Sequence, residues 1–172
     1  CETPGDTATP EPPSCEEGYI ADGQECVPEA CGEGTWGDLP IDGATIFVDA
    51  SEEAAGDGTE GSPLVSIQAG VDLAGSAGGG QVVVAAGTYS EFLSLGPQHH
   101  GVSVLGRCAE QVILDASGAG PGVGLDAEFD TALGLSGLTV TGAQEAGIRV
   151  TAGILDLDEV RVVQNEVVGV QV

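Results

Sequence analysis

The sequence has no lysine and no methionine. Its side-chain cations are Arg107, Arg149 and Arg161, set against 28 carboxylates. The formal net charge of −25 leaves no basic surface to neutralise phosphates, which excludes nucleic acid as a partner. The same shortage removes the polybasic route to anionic lipid. No apolar run reaches the length of about 18 residues that a membrane-spanning helix needs. There is no CxxC pair and no Cys/His cluster, so nothing suggests zinc. Aromatics make up 3% of the chain, and Asn165 is its one asparagine.

What is present divides the chain unevenly. The length of 172 residues fits one domain plus a small appendage, enough to bury a core. Residues 1–60 hold 16 of the 28 carboxylates and no arginine, while residues 61–172 hold 12 and all three arginines. Cysteines stand at 1, 15, 26, 31 and 108, four of them in the first 31 residues beside Pro, Glu, Gly and Thr. This usage points to an exported protein with disulfides. Residues 1–14 read as an acidic Pro/Thr-rich tether that cannot bury a core. Cys1 ahead of such a tether resembles a mature bacterial lipoprotein. That resemblance implies a diacylglycerol-modified thiol, which accounts for the odd cysteine, and membrane association only through that anchor. The expected location is then the bacterial cell envelope, as an outer-membrane or cell-surface lipoprotein. Residues 15–43 read as a small Cys/Gly module that needs staples. Cys15, Cys26, Cys31 and Cys108 allow three pairings. The favoured one joins Cys15 to Cys26 locally and Cys31 to Cys108, closing a long loop for about 4 kcal/mol.

From residue 44 the pattern changes. Short β-rich runs appear at Thr45–Asp49, Gln81–Ala85, Gly101–Leu105 and Val112–Asp115, each bounded by Gly, Asp or Ser. Between the first two, Ser66 can N-cap a short helix near 66–74, with Ile67, Val71 and Ala74 on one face. Sliding the chain by 22 residues lays 133–150 on 155–172: Leu133 meets Leu155, Leu135 meets Leu157, Val140 meets Val162, and Ile148 meets Val170. Val123 and Leu125 meet Ile148 and Val150 at an offset of 25, so one earlier turn is longer. A period near 22 with three short strands per repeat means a solenoid. A leucine-rich repeat shares the period, but its LxxLxLxxN pattern is absent. The expectation is an all-β, right-handed parallel β-helix over 44–172. The short helix caps its first coil, and the solenoid is expected to continue past Val172.

The segment 45–91, with FVDAS, GDGTEGSP, SIQAGVDLA and VVVAAGTYSE in that order, resembles the N-terminal part of right-handed parallel β-helix proteins of the pectate-lyase-like superfamily. LGRCAEQVILDASG at 105–118 resembles the next coil of bacterial surface members. The resemblance implies the fold far more specifically than a function, since that superfamily hosts lyases, hydrolases, epimerases and adhesins. Many members stack asparagines at one turn, and a single Asn165 cannot build such a ladder.

Few residues suggest chemistry. The lyases of that superfamily pair calcium with a Lys or Arg that abstracts a sugar proton. Lysine is absent here, and Arg149 and Arg161 fall at outward strand positions opposite Gln171 and Thr139. Asp156 and Asp158 alternate on one face about 7 Å apart, a spacing compatible with an inverting carboxylate pair but also with plain solubility. Asp49, Glu52, Glu53, Asp57 and Glu60 form an acidic run that can hold calcium or simply turn the chain. His99-His100 between Pro97 and Gly101 reads as a turn. Trp36 and Tyr89 can stack on a sugar or pack inside. No catalytic set can be assembled. The leading expectation is a non-catalytic cell-surface β-helix that binds polysaccharide or another surface partner. The alternative is a calcium-dependent polysaccharide lyase or hydrolase. A third reading is a structural component that self-associates through an open β-helix end.

Overall fold

The computed structural model describes residues 19–22, 25–28, 31–54, 56–118, 120–127 and 130–172. The chain divides into two compact units, residues 1–30 and 31–172. In the first, β1 (Tyr19–Asp22) and β2 (Glu25–Pro28) form an antiparallel hairpin with Tyr19 opposite Pro28. Cys1, Cys15 and the side chain of Cys26 lie outside the described residues, and with them the Cys1 anchor and the Cys15–Cys26 pairing.

The second unit is a parallel β-solenoid of four coils. It opens with β3 (Ile46–Val48) and one helix, α1 (Ile67–Ser76). The first coil carries β4 (Gly80–Val84), β5 (Gly87–Tyr89) and β6 (Leu93–Leu95). The second carries β7 (Val102–Gly106), β8 (Val112–Asp115) and β9 (Val123–Asp126). The third carries β10 (Ala132–Ser136), β11 (Thr139–Thr141) and β12 (Ala146–Ala152). The fourth carries β13 (Ile154–Asp158), β14 (Arg161–Val162) and β15 (Val168–Gln171). Stacked coil on coil, they make sheet I (β13-β10-β7-β4-β3), sheet II (β14-β11-β8-β5) and sheet III (β15-β12-β9-β6).

The register is the one the 22-residue repeat predicts. Leu133 pairs with Leu155, Leu135 with Leu157, Val140 with Val162 and Ile148 with Val170. Val123 and Leu125 pair with Ile148 and Val150 at the longer offset. Alternation turns one set of side chains inward on every strand. Val82, Val104 and Leu135 stack inside sheet I, Tyr89, Leu114 and Val140 inside sheet II, and Leu93, Val123 and Ile148 inside sheet III. None of the nine is more than 2% exposed. Each aliphatic one among them contributes about 1.5–3 kcal/mol by leaving water. In the fourth coil the corresponding Leu157 and Val170 are 41% and 44% exposed, because no described coil follows them.

Sheet I is also apolar on part of its outer face. Phe47, Val83 and Leu105 form an outward column, continued by Ser136 and Asp158. Trp36 packs edge-on against Phe47 with ring centroids 4.9 Å apart, and Leu39 joins the same cluster. The Cys31–Cys108 disulfide fastens this covering segment, and Arg107 donates from Nε and Nη2 to the carbonyls of Cys31 and Gly32. The column turns polar where the cover stops. Residues 31–40, grouped from sequence with the small module, therefore pack on the solenoid.

The helix seals the first coil. Ser66 N-caps it, its Oγ accepting from the Ala69 N–H, and Ile67, Val71 and Ala74 are buried as expected. Glu91 reaches back from the first coil to the helix N-terminus. Its carboxylate accepts from Ser66 Oγ at 2.7 Å and from the N–H groups of Ile67 and Gln68 at 2.6 and 3.1 Å. Those donors have no partner inside the helix, and the dipole there favours an anion. Gln68 bridges to the unpaired edge of β6: its Oε1 accepts from Ser94 N–H and its Nε2 donates to Ser94 O. The amide thus stands in for a missing strand. His99 closes the seam. It is buried in the expected turn, its Nδ1 accepting from Gly96 N–H and its Nε2 lying 3.0 Å from Asp72 Oδ1.

The turn from sheet II to sheet III places a left-handed residue at matching positions in the third and fourth coils. Gly142 supplies it in the third coil (φ +75°), while the fourth coil places Gln164 there (φ +54°). Asn165 follows. Its Oδ1 accepts from Ala143 N–H and its Nδ2 donates to Val140 O, so a single amide staples two coils without any ladder.

Three outcomes are expected. Glu91→Ala leaves three donors at the helix start without their acceptor and lowers stability by about 1–2 kcal/mol, seen as a lower Tm. Gln164→Gly relieves the left-handed strain and raises Tm slightly, by roughly 0.5 kcal/mol in stability, whereas Gly142→Ala costs about 1–2 kcal/mol.

Candidate functional site

The acidic run does not gather into one site. Asp49 is buried and caps its own turn, accepting from Ser51 N–H at 2.8 Å. Asp57 accepts from the N–H and Oγ1 of Thr59 at 3.1 and 2.7 Å. Those bonds, the hydroxyl's above all, hold its carboxyl below the ordinary aspartate value. Glu52, Glu53 and Glu60 are exposed. Among the described residues no three of these carboxylates come within 4.8 Å of one another. The group that does is Cys31, Cys108 and Glu110, whose sulfurs are joined in the disulfide and whose carboxylate pairs with Arg161.

The two aromatics weighed as sugar platforms are both inside. Trp36 is 9% and Tyr89 2% exposed. The Tyr89 hydroxyl donates to Ala85 O and accepts from Ala50 N–H, and burial pushes its pKa up. Asp156 and Asp158 are exposed on the outer face of sheet I, beside Gly134 and Ser136.

The feature that does collect chemistry is a groove of about 370 Å³ on the outer face of sheet III. Ligand pockets start near that size, at about 300 Å³. Its floor crosses three coils: Ser94 on β6, Gly124 on β9 and Arg149 on β12, which the parallel register sets in one outward row. The inward partners Leu93, Val123 and Ile148 hold this row in place from beneath. Gly124 leaves the middle of the floor without a side chain, and a Cβ there would make ordinary contact with Pro121 Cγ at 3.4 Å. Phe92 forms one wall and is 52% exposed. Asp126 and Thr151 add polar groups at the strand ends. Arg149 donates from Nη1 to Glu145 Oε2 at 2.6 Å. The Glu145 carboxylate, outside the lining, lies beside Gly120, a Cβ on which would be 3.6–3.8 Å from its atoms.

The repeat puts Arg149 at an outward strand position opposite Gln171, where it is found. Sequence reasoning passed over Phe92 altogether. The clue was local: Phe92 and Leu93 are adjacent in a strand-like run, so alternation turns one of them out.

Comparison with protein-family models, with curated proteins and with solved structures finds no match.

The Asp57 turn has a measurable signature. A carboxyl with a lowered folded-state pKa contributes stability at neutral pH that is lost as pH falls through that pKa. In Thr59→Val the Asp57 midpoint moves up toward the ordinary aspartate value in an NMR titration of its carboxyl carbon. An unmoved midpoint would show that the hydroxyl is not the cause.

Proposed function

We propose that this β-helix is a non-catalytic surface protein that binds a polysaccharide along the outer face of sheet III. The observation that carries the reading is the exposed Phe92 beside an open glycine floor and a row of polar side chains. A pyranose ring offers an apolar face to an aromatic and hydroxyls to groups around it. Phe92 supplies the first, and Ser94, Asp126, Arg149 and Thr151 supply the second. A rigid sheet holds them in fixed order, so little ordering is lost on binding.

Other features agree with this reading. The fold and the 45–91 segment support a place among the pectate-lyase-like β-helix proteins, whose members include adhesins. The Cys31–Cys108 disulfide supports an exported, cell-surface location. A lyase of that kind would need a Lys or Arg side chain free to shed its own proton and act as base toward the sugar. Lysine is absent, and each arginine has a partner: Arg107 the Cys31 and Gly32 carbonyls, Arg149 Glu145, and Arg161 Glu110.

Phe92→Ala tests the site. The side chain is half exposed, so its removal leaves Tm nearly unchanged. Binding of oligosaccharides from a mixed neutral and uronate panel, followed by NMR shift perturbation, is expected to weaken at least about tenfold. Unchanged binding would move the site away from this groove.

A further inference from the structure

The groove also states which sugars it accepts. The charged side chains that line it are Asp126 and Arg149. The Arg149 guanidinium is held at 2.6 Å by Glu145, which is not itself part of the lining. No further cation is within reach, since Arg107 is bound to the Cys31–Gly32 backbone and Arg161 to Glu110. The surrounding molecule carries a net charge of −25. A uronate entering the groove would meet the Asp126 carboxylate and an arginine already paired.

We infer that the groove selects uncharged sugars, and that Glu145 is the residue that sets this specificity by holding the Arg149 guanidinium. The inference rests on the glycan-binding reading above. Physically it is exclusion by repulsion: selectivity arises from what the site makes unfavourable as much as from what it attracts. Neutral hydroxyls lose nothing by this arrangement. A carboxylate such as Asp126 accepts from hydroxyls, and a paired arginine still has N–H groups free to donate. Phe92 stacks on neutral and acidic rings alike, so it cannot make the distinction. As an ion pair the contact is weak, because Arg149 and Glu145 are 40% and 51% exposed. Its role is therefore to occupy the guanidinium, and its loss leaves the fold intact.

The test uses the full chain and two sets of oligosaccharides matched in length, neutral hexose oligomers and hexuronate oligomers, titrated by calorimetry at low salt without divalent cations. The expected result is that a neutral oligomer binds and its uronate counterpart binds at least about tenfold more weakly. Glu145→Gln is expected to narrow that gap by strengthening uronate binding while neutral binding holds. Asp126→Asn, at a carboxylate that lines the groove, narrows it independently. Uronates binding as tightly as neutral oligomers would overturn the selectivity and leave the glycan site standing. So would a gap that neither variant changes, at least for the roles of Glu145 and Asp126. If no oligosaccharide of either set binds, the glycan reading itself falls, and the inference falls with it.

Discussion

The parallel hydrogen bonding of each coil to the next is the constraint on which everything else rests. Because strands pair in parallel, each residue sits directly over its counterpart one coil away, and side chains form columns. A one-residue slip would turn every inward aliphatic to solvent. The columns are therefore held by the core: Val82, Val104 and Leu135 cannot stack unless Gln81, Ser103 and Gly134 also align outside. The outer row of Ser94, Gly124 and Arg149 inherits its order the same way. The order of this outer surface is a by-product of core register, and that is why it is fixed.

A stack of coils has ends, and each end exposes what the columns bury. At the first coil the chain answers with α1, and the answer is chemical as well as steric. The helix buries Ile67, Val71 and Ala74 over the open core. Its polar side then engages the strand edge: Gln68 takes both backbone groups of Ser94, and Glu91 takes the orphan donors of the helix. Ser94 is thereby fixed from two directions, by β9 on one side and by an amide on the other. Its side chain is part of the groove floor, so the cap that stabilises the solenoid also immobilises one end of the site.

How much of this was legible in the sequence follows from the same geometry. Repetition is visible to the eye, and wherever a residue's role is set by its counterpart one coil away, the sequence reveals it. The Leu133–Leu155 and Ile148–Val170 registers belong to this class, as does the cap helix, whose apolar spacing and Ser66 are local signals. The outer cover is different. Trp36 packs on Phe47 because of a disulfide and an arginine that join distant parts of the chain, and nothing near Trp36 announces it. Phe47, Val83 and Leu105 did carry a clue, since strands apolar at successive positions are strands covered on both faces. Phe92 breaks alternation in the same manner but stays uncovered, and sequence alone does not separate the two cases. Cover is a tertiary property, and exposure of an aromatic becomes meaningful only once the cover is known.

The scarcity of cations then acquires a structural meaning that composition alone could not supply. Three arginines among 28 carboxylates would be expected to serve as scattered counter-ions. Instead each has a defined task. Arg107 carries the covering segment by its two carbonyls, Arg161 ties the fourth coil to Glu110 in the loop of the second, and Arg149 lies in the groove beside Glu145. The first two join distant parts of the fold, Arg107 through two backbone carbonyls and Arg161, itself 42% exposed, through a mostly buried carboxylate. The third makes no contact that the solenoid needs, since its neighbours along the row are Gly124 and Gln171 and the core beneath is aliphatic. A chain this poor in cations that places one on a rigid, open, aromatic-walled surface, and then neutralises it locally, has built a polar surface rather than an anion trap. On the proposed reading, the excess acid around it works in the same direction, disfavouring charged polymers of like sign while leaving uncharged ones free to approach.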